Sequence, residues 1–121
     1  MELILEKFLE ETVRSDEPSG ASLEMMNGPE DGRVFPLTKS LTTIGRTDGN
    51  DLILAFDPTV SRQHAHVTEE QGSYWIEDRR STSGTEVDGV SIRSKQELHD
   101  GCMILVGETL LCFRSAASPK T

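Results

Sequence analysis

The sequence predicts an all-β fold, a sandwich or barrel of many short strands, and three observations after residue 20 carry that reading. Apolar residues arrive in brief runs rather than at helical spacing, as in "TTIG", "DLIL", "MILV" and "TLLCF". Between the runs stand Gly, Pro, Asp and Asn, the residues whose backbone and side chains make turns. One turn can be named outright: Asp88-Gly89 lies between Val87 and Val90, and that dipeptide tolerates positive φ at both central positions of a type I′ hairpin.

Taken in order, residues 1–20 form an acidic tail. Leu3, Ile4, Leu5, Phe8, Leu9 and Val13 fall at helical spacing among glutamates, which predicts a short amphipathic helix over 2–13. Such a segment is marginal alone, because isolated helices below about 12–15 residues seldom persist in water. "RSDEPSG", residues 14–20, has linker composition. The folded unit is expected over 21–114, followed by a C-terminal tail, 115–121. Its strands are read in "ASLEMM", "RVFPL", "TTIG", "DLIL", "AHVT", "YWIED", "TEV", "VSI", "MILV" and "TLLCF", with the loop "NGPEDGRV" joining the first two. Tyr74 and Trp75 are adjacent strand residues, so one faces inward and the other outward.

The 121 residues make one domain and allow a single core. Twelve Lys and Arg against 21 Asp and Glu give a formal charge of −9, which opposes nonspecific binding to nucleic acid or to anionic lipid. No apolar run approaches the roughly 20 residues of a membrane span, and the chain starts with acid rather than a basic signal-peptide region. A cytoplasmic protein is expected. Cys102 and Cys112 face each other across a hairpin whose loop is Gly107-Glu108. That register puts Cys102 opposite Phe113 and Cys112 opposite Met103, on opposite faces, so two buried reduced thiols are expected rather than a disulfide.

Against the acidic background, "PTVSRQHAHV" (58–67) concentrates donors suited to an anion. Three motifs stand in fixed order: "IGR" (44–46) ending a strand, "SRQH" (61–64) entering one, and "DRRSTSGT" (78–85) leaving one. With "ELHDGCMILVG" (97–107), this series resembles the signature of forkhead-associated (FHA) domains over about residues 21–114. The resemblance implies a β-sandwich of about eleven strands that binds phosphothreonine peptides through loops at one end, with no catalytic machinery and no cofactor. The chemistry is consistent: a phosphate near charge −2 is held best by a planar guanidinium and by hydroxyl and backbone donors on fixed loops.

By that resemblance, Arg46 contacts the phosphate oxygens, Ser61 donates its hydroxyl, Arg62 adds charge or a backbone contact, and Thr82 reaches the phosphate from the third loop. Gly45 and Gly84 permit close or left-handed backbone, and His64 bonds across the loops. The sequence departs from the family at Ser83, where the family has an asparagine that clamps the peptide main chain. Serine offers one hydroxyl in place of an amide with donor and acceptor. Losing such a contact costs roughly 1–3 kcal/mol. Arg80 stands where the family has glycine, and Arg79 and Arg80 are candidate sources of extra positive charge at the site.

Other chemistries fit less well. His64-x-His66 lacks a third metal ligand at a familiar spacing, so no metal is expected. Ser61 and His64 with Asp57 or Asp78 supply the residue types of a catalytic triad, but no Gly-x-Ser-x-Gly elbow accompanies them. "GPEDGR" lacks the Lys-Ser/Thr pair of a nucleotide loop. Thr12, after two glutamates, is a candidate phosphosite of the kind found in small bacterial FHA regulators. A phosphothreonine-binding signalling adaptor is therefore expected, its partner a Ser/Thr kinase or that kinase's substrate. The alternative is a scaffold or dimerisation module that has lost phosphate dependence, with self-association through the N-terminal tail.

Overall fold

Strands this short cannot hold a core alone, so they pair into sheets and bury alternate side chains. A computed structural model describes residues 20–115. Thr12 and the amphipathic segment 2–13 lie outside the described residues, as does nearly all of both expected tails. Among the described residues the chain forms eleven strands and no helix: β1 (Ser22–Met25), β2 (Val34–Pro36), β3 (Leu41–Gly45), β4 (Leu52–Ile53), β5 (Ala65–Glu70), β6 (Ser73–Asp78), β7 (Thr85–Val87), β8 (Val90–Ser91), β9 (Gln96–Leu98), β10 (Met103–Val106) and β11 (Thr109–Arg114).

They make two sheets, ordered β2-β1-β11-β10-β7-β8 and β4-β3-β5-β6-β9. All neighbours with a defined register are antiparallel except β3 and β4. The expected sandwich and its strand number are borne out. The strand that sequence patterning missed is β9, because "QEL" carries a single apolar residue; only Leu98 is buried, and pairing with β6 makes the element.

The core lies between the sheets and includes Leu23, Met25, Ile44, Leu52, Ile76, Ile104 and Leu111, each sealed from solvent. Tyr74 on β6 packs against Phe113 on β11 with ring centroids 5.4 Å apart, an aromatic contact joining the two sheets. Trp75 turns outward, where the Lys95 ammonium lies 5.4 Å from its ring. Met103 pairs with Cys112 as the hairpin register requires, and both cysteines are free and buried. Burial pushes both thiols up from their ordinary value. Asp88 and Gly89 have φ of 52° and 85°, the positive pair that a type I′ turn needs.

The registers place the two ends of the sandwich. Ser22 pairs with Arg114, so the described residues begin and end side by side. At the opposite end lie the connections β1–β2, β3–β4, β4–β5, β6–β7 and β8–β9 together with the β10–β11 hairpin. Asp57 fastens the β4–β5 connection to that hairpin. Its carboxylate accepts from the Glu108 N–H (3.0 Å) and the Thr109 hydroxyl (2.6 Å), and from the Thr59 N–H (2.9 Å) and hydroxyl (2.6 Å). Gly107 completes the joint: its φ is +62°, and a Cβ there would come 2.6 Å from Thr59 Oγ1.

Burial raises the affinity of the Asp57 carboxyl for its proton, but these four donors outweigh it and hold the group below the usual aspartate range. A depressed native value stabilises the fold fully above the value of the unfolded chain and progressively less as pH falls below it through the native one. Asp57→Asn should therefore cost about 1–3 kcal/mol at pH 7. Denaturant unfolding of both proteins from pH 7 down to pH 2.5 should show the difference shrinking in the acid limb.

Candidate functional site

Backbone hydrogen bonds splice three connections at the loop end into one surface. The Arg46 N–H donates to the Ser61 carbonyl (3.0 Å), the His64 N–H to Ile44 (2.9 Å) and the Arg79 N–H to His64 (2.8 Å). Residues 46, 61 and 79–84, distant in sequence, therefore sit side by side. Gly45 allows the first contact. A Cβ there would collide with the Arg62 carbonyl oxygen and lie 2.5 Å from Asn50 Nδ2.

The arginine and the serine converge. Arg46 donates from Nε to the Val60 carbonyl at 2.8 Å, which aims the guanidinium along the 60–61 peptide and leaves its two terminal nitrogens without a partner among the described residues. Ser61 Oγ accepts from the Thr82 N–H at 2.9 Å. Its own hydroxyl proton is uncommitted among the described residues, as is the exposed Thr82 hydroxyl. Arg62 anchors by its carbonyl, which accepts from Asn50 Nδ2 (2.7 Å) and Thr47 Oγ1 (3.3 Å), while its guanidinium is exposed and unpaired. The result is a patch of unspent N–H and O–H donors with formal positive charge, suited to an oxyanion.

Behind this patch lies His64, with no exposed surface. Nδ1 accepts from the Ser61 N–H at 3.0 Å, so the ring proton sits on Nε2 and donates to the Gly84 carbonyl at 2.9 Å. Gly84 itself has φ of +87°, a left-handed conformation that glycine adopts at little cost. The third loop is closed by Asp78, which accepts from the Ser81 N–H (3.0 Å) and the Ser81 (2.6 Å) and Thr85 (2.7 Å) hydroxyls. Burial pushes the Asp78 carboxyl up, yet these donors leave it below its ordinary range. Asp51 closes the first loop by accepting from Thr43 N–H (2.9 Å) and from Lys39 (2.6 Å).

Two candidate residues sit differently from the expectation. Ser83 donates its hydroxyl to the Thr59 carbonyl at 2.6 Å, so its single proton ties the third loop to the second instead of facing outward. Arg79 reaches back along the sheet, with Nη1 3.0 Å from His66 Nδ1, so that nitrogen is engaged there. Arg80 does lie on the exposed loop, at φ of 59°. Reading the sequence missed Asn50, buried and bridging the first two loops, and also the joint that Asp57 makes. Both stand among turn-forming residues, where side-chain acceptors are common and their long-range partners invisible.

The arrangement does not suit acyl transfer. A triad needs an imidazole nitrogen facing the serine oxygen. Here Nδ1 faces the Ser61 amide, and Asp78 lies 4.0 Å from Nε2, which is already bonded to Gly84. Both nitrogens of His66 are likewise engaged, by Glu77 at 3.2 Å and by Arg79. Neither ring has a lone pair to give a metal.

Gly45→Ala should cost about 1–3 kcal/mol or more, because the added carbon meets backbone that cannot rotate away. Thermal unfolding measures the loss. Amide exchange should localise the loosening to residues 45–50 and 60–64.

Comparison with known proteins matches this geometry to a described family. The sequence profile of the FHA domain matches residues 42–107, more than half of the 121. The chain is 37% identical over 86 residues to the transcriptional regulatory protein EmbR of Mycobacterium tuberculosis, spanning 71% of this chain and 22% of EmbR. It is 36% identical over 97 residues to an oxoglutarate dehydrogenase inhibitor of Corynebacterium diphtheriae, spanning 79% of this chain and 66% of that one. The structure of Mycobacterium tuberculosis EmbR in complex with a low-affinity phosphopeptide superposes with a TM-score of 0.73 at 34% identity, covering 84% of this chain and 26% of EmbR. The chain thus spans about a fifth of the curated EmbR sequence. With the match running from the second residue of β3 to the β10–β11 hairpin, and with such relatives over most of its length, the chain belongs to the FHA domain family.

Proposed function

We propose that this protein is a non-catalytic phosphothreonine-binding module, a signalling adaptor that reads the product of a Ser/Thr kinase on the kinase itself or on its substrate. The observation that carries the reading is the convergence of Arg46 and Ser61. The guanidinium is aimed by its Nε bond to Val60, and the neighbouring hydroxyl keeps its proton while accepting from Thr82. The terminal N–H groups of Arg46 and the O–H of Ser61, carried on backbone stretches joined by the Arg46 N–H bond to the Ser61 carbonyl, supply what a phosphate dianion needs and what an unmodified threonine cannot use.

Arg62 and Thr82 complete the phosphate contacts in this reading. Gly45, His64 and Gly84 hold the loops, and Ser83 serves as a latch between loops in place of a peptide clamp. The complex of EmbR with a phosphopeptide supports the assignment by analogy. The orientation of His64, with both ring nitrogens bonded to backbone, leaves Ser61 without a general base and supports a binding role over a catalytic one. Its acidic charge supports a peptide ligand over nucleic acid or membrane, and among the described residues no helix is long and apolar enough to cross a membrane. A cytoplasmic setting, where Ser/Thr kinases act, completes the proposal.

Phosphothreonine peptides should bind and their unphosphorylated twins should not. Arg46→Ala should lose about 1.5–3 kcal/mol or more, at least tenfold in Kd by calorimetry or anisotropy. Affinity should fall below about pH 6, where the phosphate gains its second proton. Equal binding of both peptides would instead favour the phosphate-independent scaffold that the bonded Ser83 hydroxyl suggests.

A further inference from the structure

The cations of this acidic chain are not spent evenly. Among the described residues, Arg33 pairs with Glu30 (2.7 Å), Lys39 with Asp51 (2.6 Å), Lys95 with Glu70 (2.8 Å) and Arg114 with Glu24 (3.4 Å). Arg79 is bonded to His66 and Arg46 to the Val60 carbonyl. Among the described residues, three guanidiniums have no partner: Arg62, Arg80 and Arg93. In a chain of net charge −9, unpaired guanidiniums are against expectation.

All three lie at the loop end. Arg62 follows Ser61 directly. Arg80 is two residues from Thr82, whose N–H holds the Ser61 hydroxyl oxygen. Arg93 follows Ile92, whose N–H donates to the Thr85 carbonyl at 3.0 Å, at the start of the strand that leaves the third loop. Arg93 thus stands on the β8–β9 connection beside that loop. Asp31, Asp48 and Glu108 share this end of the sandwich and, among the described residues, pair with none of the three, while Glu30 there is taken by Arg33.

Arg80 adds a second observation. Its φ of 59° is a conformation that a bulky L-residue adopts only at a cost, and one that glycine would take without strain. The loop therefore carries a long cationic side chain where its backbone favours none. Neither packing nor a bond within the protein explains the choice, since Arg80 is exposed and unpaired. A partner outside the chain would.

We propose that the site prefers phosphothreonine set in an acidic sequence, and that Arg80 and Arg93 are specificity-determining residues that read carboxylates flanking the phosphorylated residue. The proposal rests on the phosphothreonine reading above and goes beyond it by naming the ligand's composition. A guanidinium held on a fixed loop beside the phosphate site meets a peptide Asp or Glu with a paired, planar contact. The same charges draw an acidic peptide toward this end of a molecule whose net charge repels it elsewhere.

The test uses the full chain and three phosphothreonine peptides that differ only in flanking residues, acidic, alanine-rich or lysine-rich, with an unphosphorylated acidic control. Wild type should bind the acidic phosphopeptide several-fold more tightly than the alanine one, and the lysine one least. Arg80→Gly and Arg93→Ala should each remove roughly twofold to fivefold of that preference, the range of exposed charge pairs, while leaving affinity for the alanine peptide within twofold. Arg80→Gly should keep or raise the melting temperature, since it relieves the left-handed backbone, so any loss of discrimination is not a folding defect. The preference should also shrink in about 0.5 M salt. Equal binding of the three phosphopeptides by wild type, or full preference retained by the double variant, would overturn the proposal and leave phosphothreonine binding standing. Failure of wild type to bind any phosphopeptide would overturn both.

Discussion

A buried imidazole holds the loop that carries Ser61 against the loop that carries Thr82, and every later feature of the site depends on that spacing. His64 accepts from one loop and donates to the other, so each ring nitrogen serves one partner and the neutral tautomer is imposed by both. Were the ring charged, the Ser61 N–H and an Nδ1 proton would face each other, two donors with no acceptor between them. Sealing the ring from solvent makes the bridge rigid as well as neutral, because unmet donors in the interior are costly. The hydroxyl of Ser61 therefore stands where the backbone places it.

Around that bridge the loops are fastened by short carboxylate joints, alongside the buried Leu54 and Val60 of the β4–β5 connection. Asp51, Asp57 and Asp78 each accept several donors from their own or a neighbouring connection, and each is held below its ordinary proton affinity. Much of the chain's acidity at this end is thus spent holding loops, which keeps it away from the exposed guanidiniums. An anion arriving at the loop end meets arginines that, among the described residues, no carboxylate pairs. This resolves the apparent conflict between a strongly acidic protein and an anionic ligand: the net charge describes the body, and the local balance describes the site.

How far the sequence reveals this depends on the range of the interaction. The sandwich was legible because alternation and turn chemistry are local: Asp88-Gly89 names its own turn, and the register of β10 with β11 follows from Gly107-Glu108. The FHA resemblance placed Arg46 and Ser61 on adjoining loops, and they do adjoin. By contrast β9 was hidden, since three residues with one apolar side chain carry no period. Asn50 and the Asp57 joint were hidden too, their partners lying 12 and 51 or 52 residues away. Ser83 shows the limit most clearly. Its substitution for asparagine can be read from the sequence, but the direction of its hydroxyl is set by a neighbouring carbonyl that only the folded loops bring near.

The pairing of Ser22 with Arg114 has a topological result. Entry and exit share the pole remote from Arg46, so further polypeptide can be spliced onto either side without crossing the path of an incoming ligand. A fold plumbed in this way works as a cartridge. It can be carried within a much longer chain, as the matched stretch of EmbR is, without any rearrangement of its recognition surface.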